Sequence, residues 1–174
     1  MATAPLTTTP ARSTRSRPRP IDFRFRPLRP ADLDAVMAME AECFAPADRF
    51  SRRRYRHLLC HALPRGTAWG LLAINGRGDL VGVTLFLLRR GARLARLYSV
   101  SVAPAARGRG LASQLITRAA RSLRRRGIDR IGLEVRERNT AARSVYERLG
   151  FSISQRFEKY YADGETGIRY TRRI

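Results

Sequence analysis

The chain has 174 residues, 44% of them hydrophobic, which suits a single domain with one core. Thirty-five basic residues against fourteen acidic ones give a formal charge of +21, and Lys159 is the single lysine. The longest apolar stretch, residues 80–88, is short and broken by Gly82 and Thr84, so a membrane-spanning helix and a membrane partner are not expected.

Residues 1–20 contain four prolines, arginine, serine and threonine, and no acid. They read as a disordered basic tail, not as a signal peptide, and the expected location is cytoplasmic. The domain is expected to cover residues 21–174. Residues 21–27 alternate in polarity, as a half-buried strand does. A helix follows over 32–44, with Leu33, Val36, Met37, Glu40 and Cys43 at helical spacing; Glu40 and Glu42 read as a solvated face. Ser51 is suited to cap a second helix running to about residue 61. Cys43 and Cys60 are expected to be reduced and buried. His57 and His61 have the spacing of a shared metal, but no further ligand accompanies them, and no metal site is assigned.

Strands are predicted over 67–74 and 80–89, around the turn Asn75-Gly76-Arg77-Gly78-Asp79, and over 93–103. A long helix then runs to about residue 126, with Leu111, Leu115, Ala119 and Leu123 forming one apolar stripe and Gly127 stopping it. A strand over 128–136, a helix from Asn139 to about 149, and strands over 151–161 and 166–173 complete a mixed α/β domain without internal repeats.

Chemistry concentrates between Val102 and Ser113. A strand ends at Pro104, and a loop with Gly108 and Gly110 leads directly into a helix. The first N–H groups of a helix lack internal partners and carry the positive end of its dipole, so such a junction suits a phosphate or pyrophosphate. Arg107 and Arg109 add charge. The remaining arginines are spread without interleaved aromatics, which predicts salt-dependent, non-specific adhesion to polyanions and no specific nucleic-acid recognition.

The spacing Arg107-x-x-Gly110-x-Ala112 resembles the acetyl-CoA signature of the GCN5-related N-acetyltransferases. The opening at residues 28–34 is similar to that family. So are Leu133-Glu134-Val135-Arg136-Glu137-Arg138-Asn139, Ala141-Ala142 and the run 145–151, which with 159–165 resemble the branch that acetylates the N-terminal amine of a ribosomal protein. The resemblance implies a mostly antiparallel mixed sheet, flanked by helices and splayed between its fourth and fifth strands. It implies acetyl-CoA as co-substrate and no metal. Pantetheine would lie along the backbone of Val100, Ser101 and Val102, and pyrophosphate on the amides of Arg107, Gly108, Arg109, Gly110, Leu111, Ala112 and Ser113. Asn139 would hold backbone or cofactor.

The same resemblance implies that Glu134 is the general base and Tyr146 the general acid. On its strand, Glu134 points away from Leu133 and Val135, and Arg136 on the same face is its expected partner. Tyr146 follows Asn139 by seven positions, about two helical turns, so the two share a face. The acceptor is expected to be an amine, most directly a protein N-terminus and conceivably a ribosomal one. It would sit between the region of Glu40, Glu42 and Asp48 and that of Glu158, Asp163 and Glu165. Acetylation of a small amine, or a basic RNA- or ribosome-associated module without catalysis, are the alternatives. The oligomeric state is left open.

Overall fold

Residues 23–46 and 49–174 are described by a computed structural model. The basic tail, the start of the first predicted strand at Ile21 and the acid Asp48 lie outside the described residues.

Seven strands form one sheet: β1 (Arg24–Pro27), β2 (Ala68–Ile74), β3 (Leu80–Leu88), β4 (Leu94–Val102), β5 (Arg130–Arg136), β6 (Ser152–Phe157) and β7 (Gly167–Arg173). They lie in the order β1-β2-β3-β4-β5-β7-β6. Every pairing is antiparallel except β4 with β5, which is parallel and therefore needs a crossover. Four α-helices accompany the sheet: α1 (Leu33–Cys43), α2 (Arg52–His57), α3 (Leu111–Arg124) and α4 (Thr140–Arg148). The crossover is α3.

The apolar stripe of α3 seats the helix on the sheet. Leu111, Leu115, Ile116, Ala119 and Leu123 are all buried, and truncating one such leucine to alanine typically costs about 2–5 kcal/mol. Side chains from α1, α2 and the turn that follows α2 complete the core, with Val36, Met39, Tyr55 and Leu59 buried. Two predicted caps form as read. Ser51 Oγ accepts from Arg54 N–H, and Asn139 Oδ1 accepts from Ala142 N–H at 3.0 Å.

The sheet differs from simple alternation in two ways that matter for function. Leu85 lies opposite Ser99 but Phe86 lies opposite Leu97, so β4 carries one extra residue at Tyr98. A bulge of this kind bends and twists its strand. On the other edge, β4 meets β5 in only three register pairs, Leu94 with Arg130, Ala95 with Ile131 and Arg96 with Gly132. Beyond Arg96 the two strands part, which is the predicted splay.

Other expectations need correction. The second helix does not stay α-helical: past His57 the chain widens into a π-helical turn over Leu58–Ala62. This turn leaves Cys60 exposed, while Cys43 is half-buried. Strand β6 ends at Phe157, not 161, because the chain turns at once and Lys159 adopts a left-handed φ of 51°.

Candidate active site

Between the diverging ends of β4 and β5 lies a cleft whose two halves are built differently. The first half uses backbone. Ala103 N–H donates to Val81 O at 3.0 Å, toward β3. By strand alternation, Val100 and Val102 turn their N–H and C=O groups to the edge that β5 has left. An extended amide-containing arm can pair with that edge as an added strand would. The cleft there holds about 180 Å³, with Val100, Ser101, Val102, Ala112, Val145 and Tyr146 among its walls.

At its end the cleft opens into a pocket of about 390 Å³ bordered by Arg107, Gly108, Gly110, Leu111, Ala112 and Ser113. Gly110 is the N-cap of α3 at φ 70°, and Gly108 has φ 73°. A Cβ at either position would meet nothing within 4 Å, so glycine is required by the left-handed backbone and not by crowding in the loop itself. Arg107 bends back, its Nε donating to Val102 O at 3.1 Å. The Cys43 thiol donates to the same oxygen at 3.4 Å. Arg109 faces away from this pocket, toward one shared with Phe23, Asn75 and Arg77. The loop therefore brings together every predicted phosphate-side residue but Arg109.

The second half uses side chains. A pocket of about 570 Å³ is lined by Glu40, Phe44, Phe50, Tyr98, Glu134, Asn139, Tyr146 and Tyr161, among others. Glu134 and Tyr146, predicted to act together, do share it. Tyr146 is 7% exposed and packs its ring against Phe151 and Tyr170 at 5.9 and 6.2 Å between centroids. Burial pushes its phenol up to about 12, so the hydroxyl keeps its proton at neutral pH. Tyr146 also borders the backbone-lined half of the cleft, which places it where the two halves meet. Asn139 opens on this second half and spends its side-chain oxygen on capping α4.

The partner expected for Glu134 is wrong. Its Oε2 accepts from Arg96 Nε at 2.7 Å and its Oε1 from Arg169 Nε at 2.9 Å. Arg169 is its direct cross-strand neighbour on β7, and Arg96 sits on β4 where the strands begin to part. Cross-strand neighbours approach more closely than residues two apart on one strand, which stand about 6.6 Å from each other. Arg136 instead pairs with Asp163 and Glu165, at 2.7 and 2.9 Å, and stacks on Tyr161. The guanidinium helps hold both acids below the ordinary carboxylate range, after the backbone N–H groups of Glu165 and Arg138 respectively.

The sequence set Glu40 beside the acceptor region but also read it as part of a solvated face, and it missed Cys43 and Phe44 as lining residues. Glu40 is not solvated; it is 2% exposed and accepts from Tyr55 and from the Phe50 backbone. Cys43 and Phe44, at the end of α1, wall the backbone-lined half of the cleft. Burial pushes the Cys43 thiol up, so it is a neutral wall residue and not a thiolate. The sequence signals for Glu40 were its place among apolar residues on one helical face and the acceptor region implied by the resemblance. Among the described residues, no group of three or more His, Cys, Asp or Glu could hold a metal ion.

A narrow apolar cleft with an open strand edge, ending on an anion site, fits a ligand with an amide-bearing thiol arm and a diphosphate head. That combination is what the sequence resemblance implies for the coenzyme side of an acetyltransferase. The family model described as Acetyltransferase (GNAT) family matches residues 33–151, and the chain belongs to that family. It is 37% identical over 145 residues to a mycothiol acetyltransferase of Salinispora tropica, a match covering 78% of this chain and 46% of that protein. The chain thus spans about half the length of the curated relatives it matches over most of its own. Over 67 residues it is 37% identical to the [Ribosomal protein bS18]-alanine N-acetyltransferase of Haemophilus ducreyi, covering 38% of this chain and 46% of that one. The fold superposes on the crystal structure of the ribosomal-protein-S18-alanine N-acetyltransferase from Escherichia coli with TM-score 0.77 at 24% identity, covering 88% of this chain and 94% of that one.

Proposed function

We propose that this acetyltransferase moves an acetyl group from acetyl-CoA to an amine by direct attack, and that the amine is a protein N-terminus. The observation that carries the reading is the junction at Tyr146, which borders both the backbone-lined cleft and the side-chain-lined pocket. Acetyl-CoA supplies the thioester that the amine attacks. Val100 and Val102 hold the arm along the edge that β5 has left; at Val102 O the arm displaces the Arg107 and Cys43 donors that occupy it. The amides of residues 111–113 and the dipole of α3 hold the diphosphate.

The amine must be neutral to attack. An α-amine has an ordinary pKa of about 7.7–8.0 and a lysine about 10.4, so an N-terminus needs only modest help near neutral pH. Glu134 takes the proton the amine releases, directly or through water. Both its oxygens already accept from arginine, and each retains a lone pair for this work. Tyr146 donates to the departing sulfur. Its phenol holds a proton more firmly than an ordinary thiol, so its first effect is a hydrogen bond to the developing thiolate, and net transfer follows as solvent re-enters.

A second reading, acetylation of a small-molecule amine, is favoured by the 78% of this chain that matches the mycothiol acetyltransferase. Thiol release measured with a panel of N-terminally free peptides, their N-terminally blocked lysine-containing counterparts, and small amines tests both. Turnover confined to free N-termini supports the first reading. Turnover confined to small amines overturns it.

A further inference from the structure

The acceptor pocket contains a second carboxylate that the proposed chemistry does not use. Glu40 lies on α1, buried, yet it borders the same pocket as Glu134. The two are held quite differently. Glu134 is gripped by two guanidinium groups, whereas Glu40 takes its hydrogen bonds from neutral donors. Oε1 accepts the N–H of Phe50 at 2.9 Å, and Oε2 accepts the hydroxyl of Tyr55 at 2.9 Å. That hydroxyl lies 3.5 Å from Ser99 Oγ on β4. One carboxylate therefore links α1, the segment before α2, α2 itself and the bulged strand.

The link shapes a pocket wall. Phe50 stacks on Tyr98, the extra residue of β4, with ring centroids 4.8 Å apart and planes at 23°. It meets Tyr55 edge-on at 6.0 Å. The Arg54 guanidinium covers both Phe50 and Tyr98, at 5.5 and 5.4 Å from their centroids. A buried carboxylate is costly unless its lone pairs are satisfied, and removing it leaves a buried N–H and hydroxyl without their acceptor. Phe50 itself lies outside the regular elements, and its neighbour Arg49 is tied to Phe44 O and Ala41 O at 2.8 and 2.6 Å, which leaves the Phe50 N–H to Glu40.

We infer that Glu40 is the positioning residue of the acceptor site: it clamps Phe50 and Tyr55 so that the Phe50–Tyr98 stack stands as a fixed wall for the incoming amine. It acts by hydrogen-bond geometry, not by charge and not by proton transfer. This rests on the reading of the 570 Å³ pocket as the acceptor site.

The geometry allows charge and clamp to be separated. In Glu40→Gln, the amide oxygen still accepts from Phe50 N–H. The amide nitrogen donates to Tyr55, whose hydroxyl proton then turns toward Ser99. Glu40→Ala removes both contacts, and Tyr55→Phe removes one while leaving the ring in the core. Amide hydrogen exchange at Phe50 and steady-state kinetics, using the best peptide from the panel above, read the clamp and its consequence separately.

Glu40→Ala should speed exchange at Phe50 by roughly 10-fold or more and raise the acceptor KM by a similar factor, with kcat and acetyl-CoA affinity within about threefold of wild type. Tyr55→Phe should raise KM less. Glu40→Gln should restore both exchange and KM to within about threefold of wild type. A Glu40→Gln variant as impaired as Glu40→Ala, or one whose loss falls in kcat, overturns the inference by showing that charge matters. Lost protection at Phe50 with an unchanged KM overturns it as well. If wild type acetylates no peptide at all, the acceptor proposal fails by itself, while the exchange data still judge the clamp.

Discussion

The two halves of the cleft solve recognition with different materials. On the coenzyme side, contacts are offered by backbone: a strand edge at Val100 and Val102 and a helix N-terminus entered through Gly110. On the acceptor side they are offered by side chains from four elements and the segments between them, among them Glu40 from α1, Tyr98 from β4, Glu134 from β5, Tyr146 from α4 and Tyr161 beyond β6. A backbone site requires only that a few consecutive residues adopt particular φ and ψ values, so it compresses into a short motif. A side-chain site is assembled from positions about 120 residues apart in sequence, and small changes at any of them re-tune it. The difference explains why the coenzyme side leaves a short motif in the chain while the acceptor side does not.

The junction between the halves should be the most sensitive point. Tyr146→Phe keeps the ring and its packing but removes the donor; turnover should fall by roughly 10–1000-fold with little change in acetyl-CoA affinity. Turnover within twofold of wild type would return Tyr146 to the core and leave the two halves without a chemical link.

Glu134→Gln comes next. Turnover should fall by roughly 10–100-fold at pH values below that of the acceptor amine and recover in part as solvent deprotonates the amine. Tyr146→Phe should show no such recovery. Parallel pH profiles for the two variants would abolish the division between proton removal and proton supply.

A change to the backbone half should act on the coenzyme alone. A β-branched residue at the left-handed Gly110 costs about 1–2 kcal/mol in backbone strain and disturbs the entry to α3. Gly110→Val should therefore weaken acetyl-CoA binding by roughly 10-fold and shrink the thermal stabilisation acetyl-CoA confers. Calorimetry giving the wild-type affinity would show that the diphosphate lies elsewhere.

A remote control sharpens the contrast. Asp32 accepts from Arg26 at 2.8 and 2.6 Å and from the Arg29 N–H. Its hydrogen bonds with Arg26 hold the carboxyl below its ordinary value. The stabilisation is full above the unfolded carboxyl's pKa of about 3.9 and is lost as pH falls through the lowered folded value. Asp32→Asn should cost about 1–2 kcal/mol in urea unfolding at pH 7 and progressively less as pH falls below the ordinary carboxylate range, with both KM values unaltered. A stability gap that persists in acid would show that the ion pair is not its source.

Local signals in the sequence carried through to the structure. The four-residue stripe of α3, the caps at Ser51 and Asn139, and the turn at residues 75–79, where Asn75 Oδ1 accepts from the amides of Arg77 and Asp79, are each settled within a few residues. What failed depended on distance. Glu40 read as solvated because its donors arrive from Phe50 and Tyr55, ten and fifteen residues on. Glu134 was given Arg136 because register decides which arginine lies across the sheet, and register is not written in alternation. The bulge at Tyr98 was invisible for the same reason: it exists only relative to β3. Cys60 was turned outward by a π-helical turn that a simple helical period does not anticipate.

The short parallel contact between β4 and β5 has a mechanical side. Three register pairs are the whole of the sheet's continuity across its middle, and Arg96 to Glu134 at 2.7 Å is an ion pair laid over the point where that continuity ends. Cooperative unfolding units tend to divide where ordered contacts are fewest. A seam placed there would let β5, β6, β7 and α4 breathe against the rest of the molecule, widening and narrowing the gap in which both ligands must fit. Glu134 is then a rivet as well as the proposed proton acceptor, and its loss would slacken the hinge at the same moment that it removes that group.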